Sequence, residues 1–575
     1  MIQGTGSDAG KSVLCAALCR ILLDDGLRVA PFKAQNMSLN SFVTRDGLEM
    51  GRAQVVQAQA ARLDPEVRMN PVLLKPSSEV GSQVIVMGRP VANMKVAEYH
   101  AFKKQAQAAA HRAYDELAAE YEVIVLEGAG SPGEINLKAH DFVNMAMARH
   151  AQAAVLLVGD IERGGIFASL LGHFELMEPW ERELLAGYVI NRFRGDASLL
   201  DSGLEFITRR TGRPFFGVLP YLADLGLPQE DSVSFKKGLY EKRATSAEHI
   251  DLALIDLPHI SNFTDLEPLL AEPDLSLRLV RRATELGNPD AIILPGSKSV
   301  IADLDFLRQS GLANAIRQQA AEGRCEIVGI CGGFQMLGQT VADPHALESG
   351  GETVAGLGLL PLSTRLEADK TLVRRHFTHL PSGLPVHGYE IHHGRTEKTG
   401  RDFFSTQSSP GERQIETINP SLQEMQQGMK TEQEMVAQER GADLFSSQSA
   451  HQEREQLLDN ECRVGLCAPP SSAADYDTRP LLGDLNSADS YSTADDPPDH
   501  GAATPNGLIW GSYLHGIFDA DHFRRWFIDR LRRRRGLPPM GRVVAPYDLE
   551  PAFTRLAATV RECLDMKQIY RLLGL

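Results

Sequence analysis

The stretch GICGGFQMLG, residues 329–338, is the strongest single indication of fold and chemistry in this sequence. An apolar run, residues 325–330, leads into Cys331, and two glycines follow before an apolar segment with helical character. This order predicts a strand, a sharp turn and a helix with a thiol at the turn, which is the layout of a nucleophile elbow. A buried structural cysteine is the alternative, since free cysteines are commonly buried. The paired glycines at a strand-to-helix turn favour the nucleophile.

Two other segments of the same half supply groups that such a nucleophile needs. DAIILPGSKS predicts a buried strand ending in a turn, where N–H groups near Gly296 and Ser297 could join that of Gly332 in an oxyanion hole. GLIWGSYLHGIFD predicts a strand that delivers His515, the best-placed base for the thiol. Three histidines on the preceding segment are rivals for that role: His387, His392 and His393.

A second chemical signal stands at the start of the chain, in GTGSDAGKS, residues 4–12. Its glycines predict a phosphate-binding loop, although five residues separate Gly4 from Gly10 instead of the usual four. In such a loop backbone N–H groups face the phosphates, Lys11 contacts the β and γ oxygens, and Ser12 reaches Mg²⁺. The alternative is a glycine-rich turn, and the strand expected before the loop is unusually short. The predicted ATP ligands of this loop are Gly4, Thr5, Gly10, Lys11 and Ser12.

Polar residues follow several predicted strands, at the edge where doubly wound sheets bind ligands. Glu127 ends the apolar run VIVL, in the position that holds Mg²⁺ near a phosphate loop. Asn191 ends another strand and could contact an adenine edge, or simply form a turn. Further polar candidates are Gln35 and Asn36 in KAQNMSLNS, for which a plain surface loop is the alternative, and Asp141 and Asp160.

Glu49 precedes a helical run, residues 52–63. An acidic side chain there can interact with the helix dipole or bind Mg²⁺, and the pattern alone favours the dipole.

The alternation of strands and helices predicts two α/β domains with doubly wound, mostly parallel sheets. The first spans residues 1–232, and residues 233–249 form a linker. The second comprises residues 250–399 and 506–575, including C-terminal helices. Residues 400–505 are rich in Gln, Glu, Ser, Asp and Thr, which predicts a disordered insertion.

Composition excludes several classes of function. The 575-residue chain suggests about three or four units and carries a formal charge of −16, which argues against binding nucleic acid through phosphate neutralisation. The basic run at residues 524–535 is interpreted as a packing helix with solvated charges. No apolar run reaches membrane-spanning length and no signal peptide precedes the first motif, so we expect a cytoplasmic protein without membrane contacts.

The cysteines point to no metal cluster and no disulfide framework. Seven of them are spread without regular spacing over the whole chain. Cys462 and Cys467 have no histidine or cysteine partners at zinc spacing, so we expect no tightly bound metal cluster.

Taken together, the motifs resemble those of the cobyric acid synthases, the glutamine-dependent amidases of cobalamin biosynthesis. The resemblance covers nearly the whole chain apart from the insertion, and it implies a dethiobiotin synthetase-like ATPase domain followed by a class I-like glutaminase domain. The segments that carry it are GTGSDAGKS, KAQNMSLNS, NPVLLKP, EGAGSPGEINL, DIERGGIFA and INRFRGD, then DLPHISNFTD, LPGSKSVIADL, GICGGFQMLG, GYEIHHG and SYLHGIFD.

The resemblance implies a reaction with ATP and glutamine as co-substrates and Mg²⁺ as cofactor. Cys331 would release ammonia from glutamine, with His515 relaying the proton. ATP would activate the b, d, e and g carboxylates of adenosylcobyrinic acid a,c-diamide, which ammonia converts to amides. The corrinoid or its intermediate would lie near Gln35, Asn36, Asp141 and Asp160.

The resemblance also bears on two carboxylates, a Mg²⁺ ligand and the third member of the glutaminase site. An acidic residue after the loop helix binds Mg²⁺ in the wider family, and motif order makes Glu49 the better match and Asp46 the second. Related glutaminases carry a glutamate two residues after the histidine, where this chain has Ile517. Glu390 is the candidate substitute for that third member.

Two rival functions remain at this point. Cobyrinic acid a,c-diamide synthase has the same two-domain plan and uses other carboxylates, although QNMSLNS and SQVI favour the cobyric enzyme. A partitioning ATPase of the deviant phosphate-loop group would act as a switch. A switch needs no glutaminase, so the Cys331 elbow argues against this function. The oligomeric state is not indicated by the sequence.

Overall fold

A computed structural model describes residues 1–78, 81–222, 225–228, 241–242, 244, 248–398, 404–406 and 500–575. The predicted linker and the predicted disordered insertion fall mostly outside these residues. No helix in the described ranges is both long and apolar enough to cross a membrane.

Short buried strands supply the framework of the N-terminal half. They are β1 (Ile2–Gly4), β2 (Val29–Phe32), β3 (Gln35–Met37), β4 (Ser41–Val43), β5 (Glu49–Gly51), β6 (Val72–Ser78), β7 (Gly81–Val86), β8 (Arg89–Lys95), β9 (Val123–Leu126), β10 (Val155–Asp160), β11 (Leu185–Phe193) and β12 (Phe215–Pro220). The helices between them are α1 (Lys11–Asp24), α2 (Arg52–Ala60), α3 (Val96–Glu120), α4 (Met145–His150), α5 (Ile166–Leu176), α6 (Pro179–Leu184) and α7 (Asp201–Thr211).

The central sheet of this half is parallel, which confirms the predicted fold class. Strands β1, β10, β11 and β12 pair in that order, and β2 pairs with β9. A parallel bridge from Ile2 to Glu127 joins the two sets. The short β1 is extended by the backbone of residue 1, whose carbonyl accepts from the Leu156 amide at 2.9 Å. The phosphate loop therefore leaves a true sheet strand.

Antiparallel strands extend this half beyond the parallel sheet. Strands β3, β6, β7 and β8 form one small sheet, in which only the β3–β6 pairing is parallel, and β4 pairs with β5 in a hairpin. Glu49 lies in β5, opposite Val43, and α2 begins only at Arg52. The helix begins at Arg52, as predicted, and Glu49 before it lies in the extended backbone of the hairpin.

The C-terminal half repeats the same architecture with a larger antiparallel addition. Its strands are β13 (Ile250–Ile255), β14 (Leu275–Val280), β15 (Ala291–Leu294), β16 (Glu326–Ile330), β17 (Thr340–Ala342), β18 (Thr353–Ala355), β19 (Leu362–His379), β20 (Leu384–Lys398), β21 (Phe404–Thr406), β22 (Gly501–Ala503) and β23 (Ile509–Ser512). Its helices are α8 (Glu267–Ala271), α9 (Ala283–Leu286), α10 (Val300–Gln309), α11 (Leu312–Glu322), α12 (Gly332–Met336), α13 (Asp521–Arg534), α14 (Glu550–Cys563) and α15 (Met566–Leu573).

The main sheet of this half has the order β14-β13-β15-β16-β23-β22, parallel except for the edge strand β22. Strands β16 and β23 are neighbours, so the residues that follow them, Cys331 and His515, emerge at the same sheet edge. The long hairpin of β19 and β20 belongs to a second sheet and packs across this edge.

The last two helices differ from the predicted domain boundary. Helices α14 and α15 contribute Phe553, Val560 and Ile569 to the hydrophobic core around α1. Arg20 of α1 also forms a 2.7 Å ion pair with Glu550. The chain therefore returns from the second domain to close the core of the first.

The basic helix α13 also differs from its prediction as a solvated face. Arg524, Arg525 and Arg532 are almost fully buried. They pair with Glu272 and Asp274, at distances of 2.9–3.0 Å. Buried charges require such partners, and the partners lie some 250 residues earlier in the chain, beyond the reach of local pattern.

Candidate functional site

Cys331 stands at the sharp turn that the sequence predicts, between β16 and α12. Its backbone has φ 50° and ψ −106°, a conformation that non-glycine residues rarely adopt. The glycines after it are required by close packing, because a Cβ at Gly333 would lie 2.0 Å from the Leu294 carbonyl oxygen. The turn thus combines a strained backbone at Cys331 with close packing of Gly333 on Leu294.

The predicted oxyanion donors come together beside this turn. A Cβ built at Gly332 would lie 2.7 Å from the Ser297 amide nitrogen, so the two backbones are in direct contact. A Cβ at Gly296 would lie 3.0 Å from Cε1 of His515. The Ser297 hydroxyl donates to Asp303 at 2.6 Å, which holds the loop in place. The Ser297 and Gly332 backbones thus lie side by side next to Cys331, and their role as oxyanion donors stays a prediction.

His515 is oriented by a carboxylate that the sequence analysis did not identify. Its Nδ1 lies 2.6 Å from Oδ2 of Asp265, and the Gly516 amide donates to Oδ1 of the same residue at 2.9 Å. Both side chains are almost fully buried. Because Asp265 holds Nδ1, Nε2 is the ring nitrogen available to the thiol.

The electrostatics of His515 connect it to both groups. Burial lowers the pKa of His515, but Asp265 and Cys331 outweigh burial and raise it to about 10. An imidazole held by a carboxylate and electrostatically coupled to a thiol is the arrangement of an activated cysteine nucleophile.

Glu390, the candidate third member, lies elsewhere in the structure. Its carboxylate lies 2.7 Å from Nδ1 of His500 and 3.6 Å from the Arg375 guanidinium. Glu390 therefore binds His500, the residue directly before β22. Glu390 therefore does not lie where a third member would. Its neighbour Tyr389 stacks on His515, and successive side chains point to opposite faces of a strand.

The rival histidines have other partners. The Nδ1 atoms of His392 and His393 contact the backbone carbonyls of Gly394 and Glu367, at 2.8 and 3.0 Å. His387 is exposed. Asp265 closes the motif DLPHISNFTD, and a carboxylate in a loop after a strand was the signal that could have indicated it.

The phosphate loop holds Lys11 and Ser12 as the sequence predicts. The Lys11 ammonium donates to the carbonyls of Gly6 and Gly130, at 2.9 and 3.1 Å. Asn191 donates to the Ala9 carbonyl at 2.9 Å, so it supports the loop from the end of β11. Gly4 lies at the end of β1 and Thr5 donates its amide to Val158, while a Cβ at Gly10 would overlap the Asn191 side chain.

Glu127 lies directly against the loop. It accepts a hydrogen bond from the Ser12 hydroxyl at 2.8 Å, and Lys33 and Gln57 donate to it at 2.8 and 2.5 Å. Burial alone would raise the pKa of Glu127, but Lys33 and the hydrogen bonds hold it below the ordinary value. An ionised carboxylate beside a hydroxyl supplies the hard oxygen atoms that Mg²⁺ prefers, so these two residues fit the ion.

Glu49, the other predicted Mg²⁺ ligand, is engaged differently. It is fully buried, and its two oxygens accept from Lys75 at 2.9 Å and from Lys370 at 2.5 Å. Glu49 therefore serves as the counter-ion of two lysines, one from each half of the chain. Each Glu49 oxygen binds a lysine ammonium, whereas Lys33 binds only one of the two Glu127 oxygens, so Glu49 as a Mg²⁺ ligand stays a prediction.

The other predicted ligands have local partners. Asp141 accepts from the amides of Val143 and Asn144 and shapes the turn before α4. Asp160 is buried and lies 3.0 Å from the Arg192 guanidinium. Gln35 accepts a hydrogen bond from Tyr99, and Asn36 donates to Gln54 at 3.1 Å. Their predicted substrate contacts remain predictions.

The two halves meet at the segment KAQNMSLNS. The Asn262 side chain accepts from the Ser41 amide at 2.9 Å, and the Tyr389 hydroxyl donates to the Ser41 carbonyl at 3.0 Å. A small cavity beside Cys331 reaches this boundary, since Lys75 lines it together with Lys298 and Lys370. Ammonia released at Cys331 would therefore form next to the domain with the phosphate loop.

Glu49→Gln should destabilise the protein at this buried boundary. Removing the shared counter-ion leaves two buried lysines, so we expect the free energy of unfolding to fall by about 3–5 kcal/mol. Burial lowers the pKa of Lys370 to about 7 even with Glu49 beside it. Lys370 is charged mainly below that pH, so the loss should be larger at pH 6 than at pH 9. Chemical denaturation at both pH values measures it.

Asp46→Asn is the matched control, because Asp46 is exposed and was the second Mg²⁺ candidate. It should leave unfolding unchanged. A Glu49→Gln protein with wild-type stability but a weakened Mg²⁺ dependence of ATP hydrolysis would restore Glu49 as a metal ligand.

The fold and the site define a class of protein, a glutamine-dependent ligase that joins a phosphate-loop ATPase domain to a cysteine glutaminase. Domain models agree: residues 1–234 match the CobQ/CobB/MinD/ParA nucleotide binding domain, and residues 251–434 match the CobB/CobQ-like glutamine amidotransferase domain.

Full-length relatives define the family. The chain is 52% identical to the cobyric acid synthase of Nitratidesulfovibrio vulgaris, covering 100% of this chain and 97% of that protein. It is 42% identical to the cobyric acid synthase of Salmonella typhimurium, covering 100% and 98%. It is 43% identical to the bifunctional protein CobDQ of Leptospira interrogans, covering 100% and 57%. This chain belongs to the cobyric acid synthase family, whose members catalyse glutamine-dependent amidation in cobalamin biosynthesis.

Proposed function

We propose that this protein amidates the b, d, e and g carboxylates of adenosylcobyrinic acid a,c-diamide to give adenosylcobyric acid. The observation that carries the proposal is the juxtaposition of a Cys331–His515–Asp265 site with an ATPase domain across one buried boundary. The relatives named as cobyric acid synthases support the choice of substrate.

The glutaminase half-reaction follows from the site geometry. Cys331 attacks the side-chain amide of glutamine, and its proton moves to Nε2 of His515. The amides of Ser297 and Gly332 stabilise the tetrahedral oxyanion. The imidazolium, which Asp265 stabilises, then protonates the departing ammonia. Water releases glutamate from the thioester by the same route, with His515 as base.

The synthetase half-reaction uses the phosphate loop. Lys11 binds the ATP phosphates, with Ser12 and Glu127 as the residues that would hold Mg²⁺. When bound, the ion neutralises phosphate charge. A substrate carboxylate attacks the γ-phosphorus, the bond from that phosphorus to the bridging oxygen breaks, and ADP leaves. Ammonia converts the resulting acyl phosphate to the amide with release of phosphate. Corrinoid contacts are assigned to Gln35, Asn36, Asp141 and Asp160.

Mass spectrometry of a corrinoid diamide incubated with glutamine, ATP and Mg²⁺ tests this function. We expect four successive carboxyl-to-amide mass changes, and none when ATP is omitted. Two changes on cobyrinic acid, with none on the diamide, would identify the a,c-diamide synthase instead. ATP hydrolysis without any change in corrinoid mass would leave the switch function standing.

A further inference from the structure

Two opposite charges line the cavity beside Cys331 without forming an ion pair with each other. Lys298 and Glu348 both belong to its wall, and both are partly buried. Lys298 contacts the Gln83 side-chain oxygen at 3.3 Å, and Glu348 accepts from the Ile301 amide at 3.2 Å. Within the described ranges no direct bond joins the ammonium to the carboxylate. The two charges face one cavity and attract each other across it without direct contact.

The backbone around each charge is held in place. Lys298 directly follows Ser297, and its own amide donates to the His259 carbonyl at 2.9 Å. Glu348 sits in a loop whose amides converge on the buried Asp343, which accepts from the Glu348 amide at 2.8 Å. The two charges are thus fixed in position relative to Cys331 and not carried on loose surface loops.

The two other lysines of the cavity already have a carboxylate partner. Lys75 and Lys370 share Glu49, as described above. Burial lowers the pKa of Lys298 to about 8, and burial raises the pKa of Glu348 to about 7. Each group therefore gains from an opposite charge at close range. A zwitterion supplies both charges at once.

We propose that Glu348 binds the α-ammonium and Lys298 the α-carboxylate of the glutamine whose side-chain amide Cys331 attacks. The inference rests on the glutaminase half of the proposed function. It gives the cavity its selectivity, because only a free amino acid offers both charges beside an amide. A glutamine side chain within a peptide would leave two buried charges without partners.

Analogues that lack one charge test each contact separately. Glutaramic acid lacks the α-amine of glutamine, and 4-aminobutanamide lacks the α-carboxylate. Release of ammonia from each, measured as kcat/KM, should be well below that from glutamine in the wild-type protein. Glu348→Gln should lower kcat/KM for glutamine by about 10- to 100-fold and leave glutaramic acid nearly unchanged. Lys298→Met should do the same with 4-aminobutanamide.

The ratio of two substrates on one protein sample does not depend on the fraction that is folded. Glu352→Gln, at an exposed position nearby, is the matched control and should keep the wild-type ratios. Equal losses on glutamine and on the analogue would reduce Glu348 or Lys298 to a structural role and overturn the inference. Wild-type protein that releases no ammonia from glutamine would instead contradict the proposed function.

Discussion

Cys331→Ala is expected to abolish amidation with glutamine and to preserve amidation with ammonium salts. The thiol is the bond-forming atom of the glutaminase, so its removal should lower glutamate release by at least about 10⁴-fold. The phosphate loop is built from other residues, so we expect ammonia added to the solution to convert the acyl phosphate without the glutaminase. Parallel assays of glutamate release and corrinoid mass, with each nitrogen source, measure the two effects.

Cys325→Ala provides the control for removal of a buried thiol. Cys325 directly precedes β16, and its thiol contacts the adjacent Glu326 carbonyl. It should keep glutamine-dependent amidation. Glutamate release by the Cys331→Ala protein at the wild-type rate would refute the assignment of the nucleophile. Loss of activity with both nitrogen sources would show that the elbow also supports the fold of the ATPase half.

Asp265→Asn is expected to cause the second-largest loss, about 10²- to 10⁴-fold in the glutaminase rate. An amide in place of the carboxylate favours the wrong imidazole tautomer and no longer stabilises the imidazolium, and the same change in a serine triad costs about 10⁴-fold. Asp265 makes the largest upward contribution to the pKa of His515, which is about 10. In the variant this pKa should fall. The pH dependence of Cys331 alkylation by iodoacetamide reports that shift.

Glu390→Gln tests whether Glu390, the candidate from sequence, or Asp265, found in the structure, is the third member of the glutaminase site. Glu390 contacts His500 and not His515, so the variant should keep the glutaminase rate per folded molecule. A melting curve corrects for any loss of folded protein. A large loss in Glu390→Gln with little loss in Asp265→Asn would reverse the two assignments.

Much of the site was predictable because its parts are local. The elbow at Cys331, the phosphate loop around Lys11 and the acid after β9 each lie within about ten residues of the turn that positions them. Turn geometry requires glycine where backbones approach closely, as Gly333 shows against Leu294. Such requirements are written into short segments and can be recognised there.

The contacts that the sequence did not predict join residues that are far apart along the chain. Asp265 reaches His515 across 250 residues, and Lys370 reaches Glu49 across 321. Glu550 reaches Arg20 across 530, which places the last helices on the first domain. No spacing rule connects such positions, since only the packed sheets bring them together. A carboxylate near a motif therefore had several possible partners.

The sequence by itself determined which chemical groups this protein has and which short turns present them. It identified a thiol elbow, a phosphate loop and an alternating α/β pattern, because each is encoded by neighbouring residues. The tertiary structure alone decided which groups act together. Adjacent strands β16 and β23 bring Cys331 to His515, a distant loop adds Asp265, and the buried Glu49 joins the two halves. Burial explains why these partners are distant in sequence. A buried charge needs an opposite charge or a hydrogen bond, and tertiary packing decides which residue supplies it.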